Sequence, residues 1–204
     1  MYISKSKKIT DEVLSSKFQK EVKKVTIFGY SECEKDDELY SQAFKTGKLL
    51  AQKGYIVVNG AGPGVMRASS EGAKAGGGKT IGISFRPKDM TNFEGRDRQN
   101  PIDEEHIEPN YVERTLKLLD MGDVYVFFNG GTGTISEFGM AWGLARLYFG
   151  KHKRLILFGT WWHEILESFA RNMKMRSEEL KVYSIINTPE EAIACVENIF
   201  NNKH

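Results

Sequence analysis

Cysteine is scarce in this chain of 204 residues: Cys33 and Cys195 stand far apart, with no C-x-x-C spacing. That excludes a disulfide-stapled secreted framework and fits a reduced interior. The four histidines, His106, His152, His163 and His204, lack metal-ligand spacing, and Cys33 has no evident partner base. Neither a metal, nor another cofactor, nor thiol chemistry is expected. No apolar stretch reaches the roughly 18 residues that a membrane span needs. The early lysines are not followed by an apolar h-region, so no signal peptide is readable and the expected address is cytoplasmic, away from membranes. Charge of one sign is lacking as well. The 29 Lys and Arg nearly balance 27 Asp and Glu, and residues 1–24 hold seven lysines against Asp11, Glu12 and Glu21, leaving 22 basic and 24 acidic residues over the rest. A nucleic-acid surface draws its affinity from a basic excess, which this body does not have, so nucleic acid is not an expected partner.

What is present is an ordinary globular composition, 40% hydrophobic and 27% charged. A domain of this size buries roughly 70% of the surface its unfolded chain exposes. The expected organisation is a basic N-terminal arm over residues 1–23 and a single domain over 24–204, without internal repeats or a dividing linker. Short apolar runs at 25–28, 55–58, 80–84, 124–128, 155–158 and 182–186 read as strands, each apolar enough to be buried on both faces. Helices are expected over 37–53, over 65–74 behind Pro63, over 137–149, and after Thr188-Pro189-Glu190-Glu191, which supplies an N-cap and an acidic first turn. The alternation predicts an α/β, Rossmann-like, doubly wound and mostly parallel sheet of about six or seven strands with helices on both faces. Residues 86–110, rich in Arg, Asp, Glu, Asn and Pro, show no periodic element and read as a long excursion over the sheet.

In such a sheet ligands bind beyond the carboxyl ends of the strands, where two junctions are rich in glycine. One is Asn59-Gly60-Ala61-Gly62-Pro63-Gly64-Val65-Met66; the other is Asn129-Gly130-Gly131-Thr132-Gly133-Thr134-Ile135-Ser136-Glu137. Glycines allow a sharp turn and close backbone approach, and the following helix offers free N–H groups and its positive end to an anion. Both junctions are therefore suited to phosphate. At the second, Thr132 and Thr134 add hydroxyl donors, and Glu137 falls about one helical turn further on. A carboxylate beside a phosphate cradle works against binding alone, which points to Glu137 handling a proton or a developing cation. A P-loop would need a Lys-Ser/Thr pair after its glycines, and a dinucleotide fingerprint would need spaced glycines after the first strand, where Gly29-Tyr30-Ser31-Glu32 has one.

These motifs carry a resemblance. Asn129 to Glu137 resembles the P-G-G-x-G-T-x-x-E motif of the LOG (Lonely Guy) family, formerly labelled lysine decarboxylases. Gly60-Ala61-Gly62-Pro63-Gly64-Val65-Met66 is similar to that family's G-G-G-P-G-I-M segment, and Phe28-Gly29-Tyr30-Ser31 to its first-strand turn. The match spans roughly residues 24–200. It implies a Rossmann-like fold, usually a homodimer, that hydrolyses a nucleoside 5′-monophosphate, of cytokinin riboside or AMP type, to free base and ribose 5-phosphate. The family's functional arginine falls on Arg114 and its motif glutamate on Glu137. The binding positions so implied are Gly130, Gly131, Thr132, Gly133 and Thr134, with Gly29 and Ser31 from the first turn and Gly60, Gly62, Gly64 and Met66 from the second. Asn129 stands where the family has proline, Thr115 where it usually has lysine, and Ser136 where an acidic residue is frequent. The non-enzyme alternative is a nucleotide-binding or molybdenum-cofactor-binding carrier or sensor of the same architecture.

Glu137 would stabilise an oxocarbenium-like state and activate water, as carboxylates do in O-glycosidases. Arg114 would orient the monophosphate or steady the leaving base. Lysine decarboxylation would require a Schiff-base lysine in a pyridoxal phosphate site, and no segment identifies one. Trp161-Trp162-His163 reads as core or interface packing rather than a platform for a base. The helix from Glu137 to Phe149 is apolar on more than one face, so a dimer partner around Trp142 and Leu144, or the chain's own core, is expected to cover its second side.

Overall fold

Successive residues of the inner strands go to opposite sides of the sheet, and both sides are dry. The structure, a computed structural model, describes residues 23–88, 90 and 95–201. The expected basic arm, Lys23 apart, and His204 lie outside the described residues. The strands are β1 (Lys24–Phe28), β2 (Ile56–Asn59), β3 (Thr80–Phe85), β4 (Glu104–Glu108), β5 (Val124–Phe127), β6 (Arg154–Phe158) and β7 (Tyr183–Ile186). They pair in parallel in the order β4-β3-β2-β1-β5-β6-β7. The helices are α1 (Glu38–Gln52), α2 (Val65–Ala75), α3 (Tyr111–Met121), α4 (Thr132–Leu147), α5 (Trp161–Asn172) and α6 (Pro189–Asn201). This is the expected Rossmann-like α/β fold.

Val25, Ile27, Val124, Val126 and Ile156 meet α1, α2 and α6 on one side of the sheet. Phe28, Tyr125, Phe127, Leu155 and Leu157 meet α3, α4 and α5 on the other. That period of two, apolar on both sides, is why the runs look uninterrupted in sequence. At the crossing of α1 and α2 a Cβ on Gly47 would strike the Ser69 carbonyl and one on Gly72 the Phe44 carbonyl, so glycine at both positions sets how closely the helices pack. The N-cap expected at Thr188 is present: its hydroxyl accepts from the Glu191 N–H at 3.2 Å while the Glu191 carboxylate accepts from the Thr188 N–H at 3.3 Å, a reciprocal capping box.

Two expectations are corrected. Residues 86–110 are not without regular structure: they contain β4, paired along its length with β3. Its sequence, Glu-Glu-His-Ile-Glu, has no apolar alternation because it is an edge strand left mostly open to solvent, where charge also discourages pairing with another chain. And α4 begins at Thr132, five residues before the expected start, so the glycine-threonine motif is the helix's first turn rather than a loop ahead of it.

The chain leaves β1 toward β2 and leaves β5 toward β6, so the direction of winding reverses between adjacent strands β1 and β5. A crevice opens at the carboxyl ends of such a pair.

Candidate functional site

A cavity of about 540 Å³ fills that crevice. Its upper wall is the first turn of α4. The helix leaves its first N–H groups without intrahelical partners and aims its positive end at the cavity, so Thr132, Gly133 and Thr134 present the donors an anion would require. A Cβ built on Gly131 would meet nothing within 4 Å, and one on Gly133 only the Tyr111 hydroxyl at 3.9 Å, so packing does not demand glycine there; the bare backbone faces open space. The loops after β1 and β5 are tied together by the Tyr30 N–H donating to the Asn129 carbonyl at 2.8 Å, and α2 joins them through the Val65 N–H to the Tyr30 carbonyl at 2.9 Å.

One turn deeper lies a buried ion pair. Arg114, from α3, and Glu137, from α4, are 5% and 7% exposed, with Arg114 Nη1 at 3.3 Å from Glu137 Oε1. The guanidinium also donates from Nε to the Ile83 carbonyl at 3.0 Å and from Nη2 to the Gly60 carbonyl at 3.1 Å. Arg114 is therefore committed on three sides to the protein itself. Burial pushes the Glu137 carboxyl up to about 7, even though Arg114 pulls it the other way. An upward shift of that kind is what proton transfer near neutrality asks of a carboxyl group.

The second glycine turn forms the wall opposite α4. Ala61 sits there at φ +59°, a left-handed conformation that costs a residue with a Cβ energy. It is held by Asn59, whose Oδ1 accepts from the Ala61 N–H at 2.9 Å and whose Nδ2 donates to Ser70 Oγ at 2.8 Å. The excursion after β3 supplies the rest: the Asp97 N–H donates to the Ala61 carbonyl at 3.0 Å, and Asn100 Nδ2 to the Gly62 carbonyl at 2.8 Å. Arg67 on α2 pairs with Asp97 at 3.3 Å and pins that loop.

Of the residues singled out in the sequence, Gly131, Thr132, Gly133 and Thr134 line this one cavity together with Arg114 and Glu137. Gly29, Ser31, Gly60 and Met66 line it from the other two turns. Gly130, Gly62 and Gly64 stand behind the lining. A Cβ on Gly130 would strike Thr134 Oγ1; Gly62 lies against Met66; Gly64, at φ +60°, passes the Tyr30 and Ser31 backbone. Sequence reasoning missed Tyr111, Tyr30 and Glu32, which also face the cavity. The signal for Tyr111 was its place three residues before Arg114, on the same face of an amphipathic helix.

Other features keep to the core. Trp162 is fully buried against Phe138, and its Nε1 donates to the Phe127 carbonyl at 3.3 Å. Trp142, expected at a dimer interface, packs within its own chain against Phe138, Phe169 and Tyr183 and donates to the Glu179 carbonyl at 2.7 Å. Burial pushes the Cys33 thiol up to about 11, far from thiolate reactivity. Among the described residues no group of three or more His, Cys, Asp or Glu could hold a metal ion, and no helix is long and apolar enough to cross a membrane.

A sequence model of the SLOG cluster4 family matches residues 22–193. Among curated proteins, an uncharacterised protein of Archaeoglobus fulgidus is 36% identical over 117 residues, spanning 57% of this chain and 72% of that one. The cytokinin riboside 5′-monophosphate phosphoribohydrolase of Mycobacterium marinum is 30% identical over 128 residues, 62% of this chain and 65% of its own. Among solved structures, the molybdenum cofactor binding protein of Rippkaea orientalis shares the fold with a TM-score of 0.66 at 23% identity, over 88% of this chain and 98% of that one.

Proposed function

The chain belongs to the SLOG cluster4 family, and from that membership and the cavity's geometry we propose that it is a nucleoside 5′-monophosphate phosphoribohydrolase, acting on a substrate of cytokinin riboside or AMP type. The observation that carries this reading is the place of the Glu137 carboxyl, buried against Arg114 in the same cavity about one turn below the first turn of α4. A site that only held a phosphate would gain nothing from a carboxylate there. The M. marinum relative supports the same reaction class.

The 5′-phosphate would sit on the N–H groups of Thr132 to Thr134, with the threonine hydroxyls as further donors. Binding energy from that remote group holds the ribose with its anomeric carbon toward Glu137. As the C1′–N bond breaks, its electron pair leaves with the base, which takes a proton from solvent that is made good when Glu137 later releases the one it removes from water, and positive charge develops on C1′ and the ring oxygen. Glu137 faces that charge as a carboxylate and removes a proton from the attacking water, whose oxygen bonds to C1′ and gives ribose 5-phosphate. Arg114 fixes the carboxylate and keeps a charged form accessible in a dry site. No cofactor takes part in this scheme, and the protein would work in the cytoplasm.

Incubation with a panel of nucleoside monophosphates tests the proposal: free base and ribose 5-phosphate should appear together. Saturable binding without either product would overturn it in favour of a carrier or sensor; the R. orientalis neighbour's name describes that protein as a binding protein.

The proposed assembly is a homodimer through α3 and α4. Tyr148 and Leu116 are 65% and 44% exposed, and with Leu144 they line a groove of about 320 Å³ between the two helices. With Trp142 committed to the core, the charge that tests this interface belongs at Tyr148. Size measurement should give a dimer for the parent chain and a folded monomer for Tyr148→Asp, because covering a charge in that groove costs its desolvation. A monomeric parent would end the idea.

A further inference from the structure

Just above the Arg114–Glu137 pair, three oxygens share two protons. Tyr111 opens α3, and its hydroxyl lies 2.7 Å from Ser136 Oγ. Ser136 Oγ donates to the Gly133 carbonyl at 2.8 Å, whereas the direct approach of the Tyr111 hydroxyl to that carbonyl is 3.5 Å. The distances assign the serine proton to Gly133 and the tyrosine proton to Ser136. What Tyr111 Oη and Ser136 Oγ then offer the cavity is lone pairs alone. Such a surface suits a ligand's O–H or N–H and disfavours a phosphate oxygen, which brings lone pairs of its own. The phenol ring is also braced, edge-on against Phe85 at 6.1 Å between centroids.

The position narrows the ligand group. On α4, the anion cradle and Glu137 are separated by about one turn, and Ser136 and Tyr111 flank the span between them. A molecule with its 5′-phosphate in the cradle and its anomeric carbon at Glu137 must pass its sugar through that span. The proton donor it carries there is a ribose hydroxyl. We infer that the Tyr111–Ser136 pair reads the ribose 2′-hydroxyl and makes the site selective for ribonucleotides over 2′-deoxyribonucleotides. This placement rests on the phosphoribohydrolase reading for the direction in which the nucleotide lies, but it requires binding and not turnover.

The test compares AMP with 2′-deoxy-AMP, and ribose 5-phosphate with 2-deoxyribose 5-phosphate, by calorimetry on the parent chain, Tyr111→Phe and Ser136→Ala, with turnover followed in parallel. The parent should prefer the ribo compound of each pair by about tenfold, the equivalent of one hydrogen bond to a positioned group. Tyr111→Phe should bring that ratio near one by weakening only the ribo compound, and Ser136→Ala should reduce it in the same sense. A parent without ribo preference overturns the inference, as do variants that weaken both members of a pair equally or leave the ratio unchanged, and so does a parent that binds none of the four. A ribo preference that Tyr111→Phe abolishes, in a protein that releases no base, sustains the inference and removes the hydrolase reading instead.

Discussion

Glu137→Gln is expected to lower turnover of a nucleoside 5′-monophosphate by about a hundredfold or more, the usual effect of removing a positioned acid or base. Affinity for the monophosphate should hold, because the phosphate meets the first turn of α4 and not the carboxyl. The pH profile separates the two jobs the group can do. A carboxylate that works ionised gives kcat/KM a rising limb near pH 7, where burial has moved its titration; a group that works as the acid gives a falling limb there. Stability follows the same titration. The folded-state value is raised above the ordinary 4.5, so between about 4.5 and 7 the folded chain holds a proton that the unfolded chain has released. Folding therefore favours low pH: relative to Glu137→Gln, the parent should lose stability as pH climbs through that window, by as much as roughly 3 kcal/mol, and stay level above it. Denaturant midpoints of both proteins at pH 4.5 and 8 check this. Turnover by the variant within a few fold of the parent would remove Glu137 from the chemistry.

The inner strands were legible because burial on both faces leaves uninterrupted apolar runs, as at Val124 to Phe128 and Leu155 to Phe158. β4 was not, because Glu104 to Glu108 gives one edge to β3 and little to the core, so nothing in its composition marks it as a strand. The glycine turns were legible as turns, and the placing of Glu137 one helical turn beyond the second needed only helix geometry. Arg114 came from family resemblance alone; no local pattern tells that α3 turns its guanidinium inward beneath β3. The packing of Tyr111 over Ser136 and the clamp of Asp97 and Asn100 on the second turn were hidden for the same reason. Each joins residues more than twenty positions apart, and only the closed structure brings them together.

Arg114→Ala is the second large effect, and its pattern matters more than its size. Of the five guanidinium N–H groups, three already donate to Ile83, Glu137 and Gly60 and a fourth faces Met66 Sδ at 3.8 Å, which leaves little of the group for a phosphate. The group that depends on Arg114 is then the carboxylate, together with the turn whose Gly60 carbonyl it holds. Turnover should fall by about a hundredfold or more on a nucleoside monophosphate and on the corresponding nucleoside alike, leaving their ratio as in the parent, because the missing charge had steadied Glu137 and not the phosphate. Loss of one partner of a buried pair also destabilises the fold, by roughly 3 kcal/mol or more. That cost should be smaller at pH 5 than at pH 8, since Glu137 can respond to the loss by taking up a proton. Arg114→Lys keeps a charge near the carboxylate but cannot serve three acceptors from one planar group, and it should recover stability before it recovers rate. A nucleoside-to-monophosphate ratio that moves toward one in Arg114→Ala would place the guanidinium on the phosphate after all, and would mean that the bonds to Ile83 and Gly60 give way when the nucleotide enters.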